Sequence, residues 1–89
     1  MEPSKDDYKQ IFTEIIRKQS VILGPQIAVL KARNVAGISV SDQGEVTSIS
    51  GNEQVLLHKL IDEYVALSGE IVRNAVNSVF DKYPSIKNT

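Results

Sequence analysis

Val35-Ala36-Gly37-Ile38-Ser39-Val40-Ser41-Asp42-Gln43-Gly44-Glu45-Val46-Thr47-Ser48-Ile49-Ser50 is the stretch that separates this chain from an all-helical bundle. Its first half alternates apolar with small or polar residues, the period of a half-buried strand. Asp42-Gln43-Gly44 has turn chemistry, with Gly44 able to take a positive φ. Glu45 to Ser50 is rich in β-branched residues and reads as the return strand. Its parity slips between Val46 and Ile49, so a bulge or an early strand end is expected there.

Helical periodicity flanks the hairpin on both sides. Upstream, Ser4 is a candidate cap with acids in the following turn, where the helix dipole favours them. Tyr8, Ile11, Phe12, Ile15, Ile16 and Gln19 then recur at three- and four-residue spacing. Gly24-Pro25 interrupts this run and is read as a hinge, since proline inside a helix costs about 3 kcal/mol or more. The stripe carries on in phase through Ile22/Leu23, Gln26/Ile27 and Leu30, which predicts a kinked continuation or a tight restart. Asn34 is a candidate terminus. Downstream, Ser50 and Glu53 have capping-box spacing, with Asn52 as a competing cap. A helix is expected from about Gln54 to about Lys82, with Leu57, Leu60, Ile61, Tyr64, Val65, Ser68, Ile71 and Val72 on its apolar face. Pro84 ends it. The expected fold is α+β and helix-dominated, two long helices around a hairpin in the order α(kinked)–β–β–α. It forms one domain over 1–84 with a tail at 85–89.

Each long segment would run to about 40 Å if helical throughout, at 1.5 Å per residue. A compact chain of this size has a radius of gyration of only roughly 12 Å. A two-stranded hairpin alone is marginal and carries unpaired edges. Both difficulties ease in a homodimer. Its expected interface is Ile38, Val40, Val46, Leu60, Tyr64, Ser68, Ile71 and Val72, with Gly69 permitting a close helix crossing.

Composition narrows the chemistry. The 89 residues are 42% hydrophobic and 24% charged, an ordinary globular balance. Cysteine is absent and histidine occurs once, which removes disulfides, thiolate catalysis and multi-histidine or cysteine metal sites. No nucleotide-binding glycine motif occurs. His58 has Asp62 one helical turn later, a spacing suited to an acid–base pair but more often a surface pair. No catalytic site, metal site or cofactor is expected. The start of the chain is charged and has no apolar signal core, and no apolar run has the length of a membrane span, so a cytoplasmic protein that does not enter membranes is expected.

Charge is uneven. No acid falls between Glu14 and Asp42, whereas Arg17, Lys18, Lys31 and Arg33 lie in that gap. These four form a candidate patch for a partner, either an acidic protein surface or a phosphate backbone. The overall pI of about 5.7 makes nucleic acid the lesser of the two.

The run Gly37-Ile38-Ser39-Val40-Ser41-Asp42-Gln43-Gly44-Glu45-Val46, followed by Ser48-Ile49-Ser50 and a long helix, resembles the hairpin-then-helix half of the roadblock/dynein light chain superfamily. The resemblance covers about residues 35–80 and stops short of that family's later strands. No functional residue is carried over from it. It implies a dimeric interaction module, because members dimerise through sheet and helix and often act as scaffolds or small-GTPase regulators. The long apolar helices, the exposed hairpin and the lack of catalytic constellations lead to the expected function, a non-enzymatic homodimeric interaction or regulatory module that also binds another protein. The alternatives are a nucleic-acid-associated regulator using the basic patch, or a small-ligand sensor with a pocket near the bend.

Overall fold

In the computed structural model, residues 4–69, 79 and 81 are described. Helix α1 spans Lys5–Leu23, helix α2 Pro25–Arg33, strand β1 Ile38–Val40, strand β2 Val46–Ile49 and helix α3 Glu53–Ser68.

Local chemistry sets each boundary. Ser4 Oγ accepts from the Asp7 N–H, and the Asp7 carboxylate accepts from the Ser4 N–H, a reciprocal capping box. Asn52, not Ser50, caps α3, its side chain accepting from the Val55 N–H at 3.0 Å. Asn52 is the residue adjoining the first turn, so its short side chain reaches a first-turn donor. The hairpin is antiparallel, pairing Ile38 with Ile49 and Val40 with Val46. The register shifts between Ser39 and Val40, the irregularity expected from the broken parity. Val46 and Ile49 consequently both face inward while Thr47 and Ser48 are exposed.

Of the two expected outcomes at Gly24-Pro25, the structure shows the tight restart. Gly24, at φ 93° and ψ 145°, takes a conformation essentially reserved for glycine, and α1 stops there. Its carbonyl accepts from the Ala28 N–H at 3.1 Å and so begins α2. Pro25 occupies the first position of α2, where its missing N–H costs nothing. The result is a corner between two helices, and the apolar phase does not cross it. Ala28, Val29 and Ala32 are the buried residues of α2, while Ile27 and Leu30 point out.

The uninterrupted last helix is corrected. Gly69, at φ 61° and ψ −125°, leaves helical geometry and terminates α3. Ile71, Val72 and the tail at 85–89 lie outside the described residues.

One core unites the elements. Ile11, Phe12, Ile15 and Ile16 of α1 meet Ala28 and Ala32 of α2, Val46 and Ile49 of β2, and Leu57, Leu60 and Tyr64 of α3. The radius of gyration is 11.7 Å. This matches the size expected of a compact single chain. The corner at Gly24 removes the geometric difficulty that two unbroken long helices would have posed.

Candidate functional site

The corner is positioned from within. The Tyr64 hydroxyl donates 2.7 Å to the carbonyl of Ala28, a buried bond that ties α2 to α3. Burial, and then the charge of nearby Glu63, push the Tyr64 phenol well above its ordinary pKa, so it remains a donor. Ala28 and Ala32 are one turn apart, and such small side chains allow close helix approach. With that face committed inward, the opposite face of α2 is turned to solvent.

The consequence is an apolar surface around the corner. Val21 is 88% exposed, Leu30 60%, Ile27 47% and Ile22 41%. Single exposed aliphatics are ordinary, but four within the short stretch from residue 21 to 30 form a concentration of a kind associated with interaction sites. Val55 and Leu67 are also exposed, but they sit three turns apart on α3. Two open hollows flank the corner. One is lined by Leu23, Gly24, Pro25, Gln26 and Ile27, the other by Pro25, Gln26, Val29, Leu30, Arg33 and Asp42. They share Pro25 and Gln26, so they adjoin. Both are shallow, unlike the enclosed pockets that bury most of a small ligand's surface.

Two of the four basic residues are engaged elsewhere. Arg33 is committed to the hairpin, 2.8 Å from the Asp42 carboxylate and donating to the Val40 carbonyl at 3.1 Å. Arg17 lines a separate groove between α1 and β2 together with Lys9, Glu14 and Glu45, a mixed-charge setting. Lys18 and Lys31 are half-buried on α1 and α2.

The residues assigned to a dimer interface divide similarly. Leu60 and Tyr64 are 0% exposed and Val46 is 3% exposed within one chain. These three belong to the intrachain core and offer no area to a second copy. Ile38 and Val40 are half-buried and pack against that core. Ser68 is the last residue of α3.

Pairing of hairpins into a larger sheet meets a further obstacle. Thr13 Oγ1 accepts from the Val46 N–H at 3.0 Å, and the Lys5 ammonium donates to the Ile49 carbonyl at 3.4 Å. Arg33 holds the Val40 carbonyl on the other strand. Side chains of α1 and α2 thus occupy backbone groups on both strands.

His58 is half-buried, with Nε2 buried and lacking a hydrogen-bond partner, so no pairing with Asp62 is made at that nitrogen. Among the described residues no cluster of three or more His, Cys, Asp or Glu side chains suits a metal ion. None of the helices among them is long and apolar enough to cross a membrane.

No family model matches the chain, and no curated protein or solved structure is significantly similar to it.

The corner surface was hidden in the sequence because Ile22, Ile27 and Leu30 extend the core stripe of α1 in phase. The signal that would have found it is the pair Ala28 and Ala32. Read with Pro25 as a helix start, it gives α2 an inward face of its own.

Proposed function

We propose that this chain is a non-enzymatic protein-interaction module whose contact surface is the α1–α2 corner. The observation that carries this is the exposure of Val21, Ile22, Ile27 and Leu30 around Gly24-Pro25. Fully burying one such side chain contributes about 1.5–3 kcal/mol, so covering the corner is a substantial driving force for association. The partial resemblance to dimerising scaffold domains points the same way.

Homodimerisation is the second reading, because an apolar patch can serve as its own partner. The basic-patch and ligand-sensor readings have less support. Arg33 is spent on Asp42, Arg17 lies among carboxylates, and the hollows at the corner are open.

The test uses the double variant Val21→Glu, Leu30→Glu. Both positions are exposed, so the variant is expected to keep the helical circular dichroism and melting temperature of the parent. Affinity capture with the parent should recover a protein partner that the variant does not. Equal recovery by both, or none by either, would overturn the proposal. Light scattering on the same two proteins reads the homodimer directly.

A further inference from the structure

The corner carries a second regularity, in its charges, and it bears on the interaction-module reading just given. No Asp or Glu occurs from Ile15 to Ser41. On α1, Lys18 precedes Val21 by three residues and Ile22 by four, and Arg17 precedes Val21 by four. On α2, Lys31 follows Ile27 by four. These are the spacings that make side chains neighbours on a helix surface. Each exposed apolar pair therefore has a cation beside it; the nearest acid on α1 is Glu14, one turn before Lys18, and the one carboxylate lining the adjoining hollows, Asp42, is paired with Arg33. Among the described residues, neither Lys18 nor Lys31 forms an ion pair.

This pattern discriminates among occupants. A second copy seated corner to corner would bring Lys18 and Lys31 against like charges as the surface loses water, and like-charge juxtaposition in an interface is costly. A phosphate backbone would use the cations but waste the aliphatic side chains, and among the described residues no aromatic stands at the corner to stack a base. A lipid surface is typically recognised by clusters of about four to eight basic residues, more than stand free here. An apolar helix face edged with carboxylates satisfies both parts at once, the mode in which an amphipathic helix lays anchors spaced at three and four residues into a groove.

We infer that the corner binds an acidic amphipathic segment of another protein. Its apolar side chains seat in the adjoining hollows on either side of Pro25-Gln26, and its Asp or Glu side chains meet Lys18 and Lys31. Lys18 and Lys31 are half-buried and so still reached by solvent, and charged contacts there set partner choice and association rate more than total affinity and weaken with salt.

The test is selection of binders to the full chain from a displayed library of helical peptides. The library has fixed apolar positions at i, i+3, i+4 and i+7, and Asp, Glu, Lys and Arg varied elsewhere. A selected peptide and its charge-reversed copy are then titrated by fluorescence anisotropy. Net acidic winners are expected, with the charge-reversed copy bound at least about tenfold more weakly. The Lys18→Glu, Lys31→Glu variant should invert that preference. Val21→Glu, Leu30→Glu should abolish binding with the melting temperature unchanged.

Winners that are neutral or basic, or affinities indifferent to Lys18→Glu, Lys31→Glu, would overturn the acidic partner and leave the interaction module standing. If no peptide depends on Val21 and Leu30, both fall. Two further outcomes name a different occupant and also overturn the inference. They are a dimer mass abolished by Val21→Glu, Leu30→Glu, or binding to phosphatidylserine vesicles, lost in that variant, without peptide binding.

Discussion

Gln19 is fully buried on the inner face of α1, and neither its amide nitrogen nor its carbonyl oxygen finds a hydrogen bond. An uncompensated buried amide costs about 1–3 kcal/mol. Methionine has similar length and no such cost. Gln19→Met is therefore expected to raise stability by about 1–2 kcal/mol, seen as a melting temperature higher by roughly 4–8 °C per kcal/mol for a domain of this size. Tyr64 presents the opposite case, a buried polar group that is satisfied. Tyr64→Phe should cost about 1–2 kcal/mol in urea unfolding by removing the bond to the Ala28 carbonyl. The raised phenol pKa adds a pH signature. The unfolded chain ionises this tyrosine at about pH 10, before the folded chain does. The stability it contributes is complete below that pH and is lost as pH rises above it. The difference in melting temperature between parent and Tyr64→Phe should shrink with alkalinity above about pH 10. Tyr64 was legible as an inward residue from its helical spacing. Its partner was not, since Ala28 lies 36 residues away and only the fold brings it near.

At the scale of elements, what could be read from the chain was local. The capping of α1, the hairpin, its turn at Gly44 and its slipped register follow from short-range chemistry, and they stand as expected. The apolar phase across Gly24-Pro25 and the length of the last helix differ from expectation for one cause. Periodicity reports which residues would share a face if the helix continued, but it does not report whether the helix continues. At Gly24 and at Gly69 the backbone takes a positive φ and the phase is reset. Nothing lies within 4 Å of a Cβ built at Gly24, so replacing it tests backbone conformation alone. Gly24→Ala should cost about 1–3 kcal/mol in chemical denaturation. A D-alanine placed there by chemical synthesis tolerates a positive φ and should restore most of the loss.

For the whole molecule, the deciding fact is that one chain encloses its own core. Leu60 separates the two views of the last helix. As a core residue, Leu60→Ala should lower stability by about 2–5 kcal/mol. The unfolding midpoint should then stay the same over a roughly hundredfold range of protein concentration, in parent and variant alike. A midpoint that climbs with concentration, and still climbs in Val21→Glu, Leu30→Glu, would return Leu60 to an interface between chains. The candidate surface was only half visible beforehand. The acid-free stretch shows its cations, but Ile22, Ile27 and Leu30 continue the core stripe in phase, because the corner that turns them outward is a tertiary feature.

The side chains that occupy the hairpin's backbone groups have one more consequence. An open strand edge is a template on which further strands can add without limit, the first step toward fibrous aggregates. Thr13, Lys5 and Arg33 deny that template to passing chains. The molecule can thus display a sticky apolar corner while withholding the geometry through which stickiness would spread from chain to chain.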